Sequence, residues 1–157
     1  MKTDDPFAGR VRVRCCGLIA DGDYLLLVRQ KTPTRPDPIW LPPGGGLQLG
    51  ETSKTAVTRE VAEETGITMK PSYLAFVHEF VEPPYHAVEL YFAAESYTGT
   101  LKTGHDPELS EQEQQILDCA FINPKTLTEN ELYPPFLHSQ NVVNLSAAGE
   151  VKHFLTT

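Results

Sequence analysis

The amino-acid sequence predicts an α+β fold, because a hairpin comes first, one helix follows it, and further strands and a C-terminal helix complete the chain. Three observations support this order: a turn signal near the start, a glycine run that opens a helix, and two long β-type segments after that helix. At 157 residues the chain is large enough to bury a core, and we expect one domain over residues 1–157.

The first hairpin is predicted from residues 10–20 and 24–29. The segment RVRVRCCGLIA alternates arginine with valine and then becomes apolar, which indicates a strand whose second half is buried on both faces. The return strand YLLLVR follows an Asp-Gly-Asp turn at 21–23. Arg14 shares one face with two other arginines, and that face is either a solvated edge or a contact for a bound phosphate or for the partner chain of a dimer.

A proline-rich loop follows the hairpin at residues 30–38. Its prolines at 33, 36 and 38 exclude a helix and a regular strand. Because the loop lies just ahead of the glycine run, we expect it to line the mouth of a binding site. Lys31 and Arg35 are its candidate phosphate contacts, and the alternative is a plain solvated loop.

One helix is predicted after the glycines at 44–46. Thr52 and Ser53 are suitable N-cap residues, and Gly66 fits the position that follows the last helical turn. Its buried side consists of small and branched apolar residues: Ala56, Val57 and Val61.

Three carboxylates share one side of this helix. At about 100° per residue, Glu60, Glu63 and Glu64 lie within roughly a 100° arc. Like charges at these spacings repel each other unless something offsets them. The cluster is either a solvated acidic face or a set of oxygen ligands for a hard cation such as Mg²⁺ or Mn²⁺.

The full spacing of the segment Gly45–Ile67 decides between these two interpretations. The sequence GGLQLGETSKTAVTREVAEETGI resembles the Nudix box, G-x5-E-x7-R-E-U-x-E-E-x-G-U, in which U is aliphatic. Every specified position of the pattern matches, which favours the metal site. The resemblance implies a Nudix-like α/β/α sandwich with a mixed β-sheet, in which residues 45–67 form a loop, a helix and a loop.

The resemblance also implies roles for individual residues. Glu60, Glu63 and Glu64 would bind Mg²⁺, with Mn²⁺ as a substitute, and the carbonyl of Gly44 would assist them. Arg59 would orient the carboxylates, with Glu51 as its partner. It is not expected to act as a general acid, because a guanidinium group does not release its proton.

The general base stays open at this stage. Members of the family take it from the box or from a late loop that closes over the site. The box would offer Glu63 or Glu64. The acidic segment ELSEQEQQ would offer Glu111 first, with Glu108 and Glu113 as alternatives, and each of these three is otherwise an ordinary solvated charge.

The second half of the chain reads as strands with a helical end. Residues 71–81 and 87–95 are predicted to pair as a hairpin, and residues 116–122 form another strand. We expect one or two helical turns at 126–132 and a helix over 136–155 that is interrupted near 146–149. No second histidine stands at metal-ligand spacing from either His78 or His86, so zinc is not expected.

Composition excludes several classes of protein. The formal net charge of −8 argues against a nucleic-acid partner. We expect no membrane segment and no secretory signal, because no apolar run approaches the length of a span and MKTDDPFAGR lacks an apolar stretch. The three cysteines include no C-x-x-C pair, which favours reduced thiols and a cytoplasmic protein.

The resemblance implies a nucleoside diphosphate linked to another moiety as the substrate. Two family markers after the box fall on Pro83, typical of ADP-ribose pyrophosphatases, and on Tyr85, typical of dinucleoside polyphosphate hydrolases. Because both match, they do not decide between these substrates. A nucleotide sugar such as ADP-ribose is the first expectation, and a nucleoside triphosphate or dinucleoside polyphosphate is the alternative. A non-catalytic nucleotide sensor is the alternative of another class.

Aromatic residues are the candidates for contacts with the nucleobase. Trp40, Phe80 and Tyr85 would stack on the base or form an apolar wall, although core packing explains Trp40 equally well. A homodimer is possible through residues 10–20 or through the C-terminal segment.

Overall fold

The computed structural model of the chain describes residues 5–105, 110, 114–143, 145 and 149–157. Its strands and helices, in chain order, are β1 (Val11–Leu18), β2 (Ala20–Asp21), β3 (Tyr24–Gln30), β4 (Ile39–Leu41), β5 (Gly44–Gly46), α1 (Ser53–Thr65), β6 (Ile67–Glu82), β7 (Tyr85–Gly99), β8 (Ile116–Ile122), a 3₁₀ turn (Pro124–Thr126), α2 (Phe136–Ser139) and β9 (Lys152–Thr156).

Two sheets form the body of the described chain. The larger sheet has the order β5-β1-β7-β6-β9 and is mixed, since β1 runs parallel to β7 whereas β6 and β7 form an antiparallel hairpin. In the smaller sheet β3 is central and pairs antiparallel with β2, β4 and β8. The mixed sheet with few helices confirms the predicted α+β class.

Strands buried on both faces separate two parts of the core. On β1, Cys15 packs with the residues of α1, whereas its neighbour Cys16 packs on the opposite side with Phe136 and Leu137. On β3, Leu26 faces the same side as Cys15, and the leucines on either side of it face the other. Alternation along a strand produces this division, and for β1 it confirms the prediction that the second half of the strand is buried on both faces.

Helix α1 begins and ends where the sequence predicts. The Thr52 side chain accepts a hydrogen bond from the Thr55 amide, which satisfies one of the donors at the helix start. Gly66 has φ of 74° and donates its amide to Ala62. Ala56, Val57 and Val61 are fully buried against the sheet, so the opposite side of the helix, with its glutamates, faces away from this core.

The end of the chain differs from the prediction. The helix expected over 136–155 is wrong: α2 is a single turn, and residues 152–156 form strand β9, which runs parallel to β6. The helical turns expected at 126–132 are also wrong, since the only helical segment described there is the 3₁₀ turn at 124–126. None of the helices in the described ranges is long and apolar enough to cross a membrane.

Candidate functional site

A strand of three glycines forms the floor of the candidate site. β5 pairs antiparallel with β1, so that Gly44 lies opposite Cys16 and Gly45 opposite Cys15. A Cβ atom on Gly45 would overlap the carboxyl group of Glu60. The absence of a side chain at this position therefore allows the glycine strand and the box helix to approach each other closely.

Arg59 connects the carboxylates of the box. Its Nη2 donates to Glu51 Oε1 at 2.7 Å, and its Nη1 donates to Glu60 Oε1 at 2.8 Å and to Glu63 Oε2 at 3.3 Å. Nη2 also reaches the Gly46 carbonyl oxygen at 3.1 Å. The expected pair of Arg59 with Glu51 is present, and it lowers the pKa of the Glu51 carboxyl through these hydrogen bonds.

Glu64 lies in a different environment from the other box glutamates. Its Oε2 accepts a hydrogen bond from the Gly44 amide at 2.9 Å, and it forms no ion pair within the described residues. Burial raises the pKa of Glu64 to about 8, against an opposing effect of that hydrogen bond. Burial also raises the pKa of Glu60, in spite of its bond to Arg59. Two box carboxylates therefore carry an electrostatic cost that a nearby cation would relieve.

A buried ion pair between Arg14 and Glu89 contacts the glycine strand at the Gly44 carbonyl. Arg14 Nη1 donates to Glu89 Oε1 at 2.7 Å, and its Nη2 donates to the Gly44 carbonyl oxygen at 3.1 Å. Glu89 Oε2 also lies 2.7 Å from His78 Nδ1 and accepts from the Tyr91 hydroxyl at 3.0 Å. The buried ion pair thus fixes the orientation of the Gly44 peptide.

The environment of Glu89 decides its charge. Burial alone would raise the pKa of Glu89, but the hydrogen bond from His78 and the positive charge of Arg14 outweigh it and hold the pKa below its ordinary value. Because an ionised carboxylate only accepts hydrogen bonds, we assign the shared proton to His78 Nδ1. The other ring nitrogen lies 2.9 Å from Thr156 Oγ1 on β9.

A cavity of about 350 Å³ opens beside the glycine strand. We call it the main cavity. Its lining includes the carboxylates of Glu60 and Glu64 and four cationic side chains, Arg12, Arg14, Lys31 and Arg35. Its apolar lining includes Phe7, Ile39, Leu41 and Phe80. Glu63 and Arg59 line a neighbouring groove that shares Glu60 with the main cavity.

Comparison with known proteins identifies the family. A family model described as NUDIX domain matches residues 9–137, which is most of the chain. The chain belongs to the Nudix family. The residues predicted to form a Nudix box therefore lie within a matched Nudix domain.

Curated Nudix relatives resemble part of the chain. The ADP-ribose pyrophosphatase of Methanocaldococcus jannaschii is 33% identical over 97 residues, which cover 60% of this chain and 57% of that protein. Phosphatase NudJ of Escherichia coli is 31% identical over 68 residues, which cover 43% of this chain and 42% of that protein. The chain thus spans about half the length of the curated relatives that it matches.

Solved structures share the Nudix fold with this chain. The MutT NUDIX hydrolase from Burkholderia pseudomallei has a TM-score of 0.63 and 22% identity, and the match covers 88% of this chain and 99% of that one. An ADP-ribose pyrophosphatase from Streptococcus suis has a TM-score of 0.60 and 16% identity, with 92% and 98% covered. At these identities the likeness concerns the fold alone.

The donor atoms of the Nudix box fit a hard divalent cation. They are all oxygens, from the carboxylates of Glu60, Glu63 and Glu64 and from the Gly44 carbonyl. The Gly44 oxygen accepts one hydrogen bond from Arg14, and its second lone pair can bind a cation. Within the described residues no three acidic, histidine or cysteine side chains gather at metal-ligand spacing. Arg59 is hydrogen-bonded to Glu60 and Glu63, and burial is the main cause of the raised pKa values of Glu60 and Glu64.

Other predicted site residues are brought together only in part. Arg14, Lys31, Arg35 and Tyr85 line the main cavity. Trp40 does not line it; this residue is half-buried and packs against the core cluster that includes Phe136. The Trp40 amide and carbonyl bond to the 131–133 backbone, so core packing explains this residue.

The late-loop candidates for the base cannot be placed. Glu111 lies outside the described residues, and so do the alternatives Glu108 and Glu113. Their assignment to the site stays a prediction.

Sequence reasoning missed one buried polar pair and several residues that line the main cavity. Glu89 and His78 were not recognised as a pair, although each is a polar residue at an inward position of an apolar strand, which is a readable signal of a buried contact. Thr32, His86 and Tyr133 were also missed as cavity residues, and no local pattern distinguishes them.

Adjacent glycines of β5 provide a test of the close approach. We expect Gly45→Ala to weaken Mg²⁺ binding, because the new Cβ would displace the Glu60 carboxyl, and to change Tm only slightly, because that carboxyl is the end of a flexible side chain. Gly46→Ala is the matched control, since its Cβ would meet only Arg12 Nη2 at 3.8 Å, an ordinary contact. Thermal unfolding and calorimetric Mg²⁺ titration measure both effects. Equal behaviour of the two variants would contradict the role assigned to Gly45.

The raised pKa of Glu64 predicts a pH-dependent stability. Between its ordinary value of 4.5 and about 8, the folded chain holds a proton that the unfolded chain releases, so the free energy of unfolding falls as pH rises through this window. In EDTA, wild type should therefore lose stability from pH 5 to 8 relative to Glu64→Gln. Denaturant unfolding at several pH values measures this difference. Glu150→Gln, at an exposed carboxylate, should follow wild type, and parallel curves for Glu64→Gln and wild type would refute the prediction.

Proposed function

We propose that the chain is a Mg²⁺-dependent pyrophosphohydrolase that cleaves a nucleoside diphosphate linked to another moiety. A nucleotide sugar such as ADP-ribose is the proposed substrate, and its products would be a nucleoside monophosphate and a sugar phosphate. Relatives named as ADP-ribose pyrophosphatases support this choice.

The charge pattern of the main cavity is the observation that carries the proposal. The lining combines the carboxylates of Glu60 and Glu64 with cationic side chains, among them Lys31 and Arg35. Carboxylates alone would repel a pyrophosphate. A cavity that combines metal-binding carboxylates with basic side chains suits a polyanion that approaches together with a divalent cation.

The metal would be held by the carboxylates of Glu60, Glu63 and Glu64 and by the Gly44 carbonyl oxygen. When bound, Mg²⁺ neutralises phosphate charge and lowers the pKa of a coordinated water. Arg59 keeps two of these carboxylates in place through its hydrogen bonds, and Arg14 holds the Gly44 peptide. Lys31 and Arg35 would bind the phosphate oxygens that face away from the carboxylates.

Hydrolysis requires one water and one base. The oxygen of the water attacks a phosphorus of the diphosphate, the bond from that phosphorus to the bridging oxygen breaks, and the proton of the water passes to the base. The proposed bases are Glu63 or Glu64 from the box and Glu111 from the late loop, with Glu108 and Glu113 as alternatives. The pH–rate profile of the glutamine variant at each position tests them, since loss of the base changes the acid limb.

An assay of a substrate panel tests the proposed function. We expect purified protein with Mg²⁺ to convert ADP-ribose or another nucleotide sugar into a nucleoside monophosphate and a sugar phosphate, and EDTA to abolish the reaction. The panel includes nucleoside triphosphates and diadenosine polyphosphates, and chromatography follows the products. Pyrophosphate release from a triphosphate would move the activity to that alternative class. Tight binding without turnover of any compound would favour the nucleotide sensor.

Glutamine substitution at Glu63 separates catalysis from stability. We expect Glu63→Gln to lower kcat by at least about 100-fold, because a metal ligand is lost. Its effect on Tm should be small, since Glu63 is half exposed and its contact with Arg59 is a surface ion pair. Steady-state kinetics and thermal unfolding measure the two quantities, with Glu150→Gln as the control. A kcat within about twofold of wild type would refute the metal-site assignment.

A further inference from the structure

Three buried polar atoms without a hydrogen-bond partner line the main cavity. They are Thr32 Oγ1, His86 Nε2 and the hydroxyl oxygen of Tyr133, and no partner for them exists among the residues that the structure describes. Buried polar groups are normally hydrogen-bonded, because an unpaired group loses its contact with water and gains nothing in return. Three such atoms in one cavity indicate a ligand that supplies the missing partners.

The three residues come from separate parts of the fold. Thr32 lies in the loop after β3, His86 lies at the start of β7, and Tyr133 follows the segment that pairs with Trp40. Nothing in their local sequence requires the three side chains to meet. Their convergence on one cavity therefore belongs to the tertiary structure and not to a shared turn or cap.

Tyr133 is buried and held by contacts of its backbone and its ring. It is only 8% exposed, and its amide donates to the Trp40 carbonyl oxygen at 2.9 Å. Its ring packs edge-on against Phe80 at 6.1 Å and His78 at 5.7 Å, and the Arg35 guanidinium lies 5.4 Å from its centroid. These contacts fix the ring but leave its hydroxyl unpaired. Burial raises the pKa of Tyr133, so the hydroxyl keeps its proton and can donate it in a hydrogen bond.

The chemistry of the three atoms indicates what they bind. The hydroxyls of Thr32 and Tyr133 both donate and accept, and His86 Nε2 does either according to its tautomer. Sugar hydroxyls have the same dual capacity, whereas the edge of a nucleobase presents a fixed pattern of donors and acceptors. Phosphate oxygens only accept, and the cationic side chains of the cavity already suit them.

We propose that Thr32, His86 and Tyr133 form a subsite for a sugar ring of the nucleotide substrate, bound through its hydroxyl groups. This subsite rests on the proposed function and deepens it, since it selects a hydroxylated ring in addition to the pyrophosphate. The ring is either the ribose of the nucleoside or the sugar linked to the diphosphate. Both present the same chemistry.

Removal of the Tyr133 hydroxyl tests the subsite. This hydroxyl forms no hydrogen bond with any residue that the structure describes, so Tyr133→Phe should leave Tm unchanged or raise it. The same variant should raise KM for ADP-ribose by about tenfold, because a bond to the substrate is lost. Tyr97→Phe is the matched control: its hydroxyl bonds to Asp21 at 3.3 Å and lies outside the main cavity, so KM should not change.

Substrate analogues identify the ring. Wild type and Tyr133→Phe are compared on ADP-ribose, 2′-deoxy-ADP-ribose and the methyl ester of ADP, which lacks the linked sugar. If discrimination against the deoxy compound shrinks in the variant, the nucleoside ribose is the bound ring. If discrimination against the methyl ester shrinks in the variant, the linked sugar is the bound ring. If neither shrinks, the subsite proposal is wrong and the hydrolase proposal stands.

A second variant and a binding measurement keep the test decisive. Thr32→Val, which removes only a hydroxyl, should raise KM as Tyr133→Phe does, and it serves if the latter does not fold. A fall in Tm of Tyr133→Phe with unchanged KM would show a structural role and overturn the subsite. If wild type hydrolyses nothing, calorimetric binding of ADP-ribose replaces KM: weaker binding by the variants supports the subsite, and equal or absent binding overturns it.

Discussion

The close approach of the glycine strand to the box helix is the constraint on which the site depends. The space between β5, β1 and α1 leaves no room for a side chain at Gly44 or Gly45, where a Cβ would meet the β1 backbone or the Glu60 carboxyl. Because the backbone comes so near, its own polar groups take part in the site. The Gly44 amide binds Glu64, the Gly44 carbonyl accepts from Arg14, and the Gly46 carbonyl accepts from Arg59.

Two carboxylates near this strand, Glu89 and Glu64, illustrate how the environment of a carboxyl group determines its charge. Glu89 has Arg14 and His78 as direct partners, and its pKa falls below the ordinary value despite complete burial. Glu64 has a single amide partner and no ion pair within the described residues, and its pKa rises to about 8. The first carboxylate is thus stabilised as a structural anion by the chain itself. The second is left in need of a positive charge, which suits a metal ligand.

The sequence predicted the features that are local and periodic. The bounds of α1, its caps and the grouping of the box glutamates follow from spacing along one helix, and β8 follows from its apolar composition. The predicted first hairpin is only partly right, because residues 20–21 pair with β3 whereas β1 pairs with β5 and β7 in the other sheet. Contacts that depend on strand register could not be predicted in this way. His78 lies opposite Glu89 only because β6 and β7 pair in one particular register, and neither residue alone specifies it.

Tertiary pairing also explains the largest error in the prediction. Residues 152–156 were expected to be helical, but the open edge of β6 offers them backbone hydrogen bonds, and Phe154 stacks on Phe136 at 4.6 Å. Such an edge overrides the weak local preference of a short segment. Tyr133 illustrates the same limit at the site, since its place in the cavity results from pairing with the Trp40 backbone and from no local motif.

The lining of the main cavity divides into two parts with different origins in the chain. One part is the glycine strand and α1, where a single added methyl group causes a steric overlap. The other part includes the loop at 31–38 and Tyr133, which are attached to the sheets independently of α1. Mutations can accumulate in the second part without moving the carboxylates of the first. A chain built in this way can change the ligand that it selects while the box carboxylates keep their arrangement. A designer who wishes to change the ligand can therefore vary the residues of the second part.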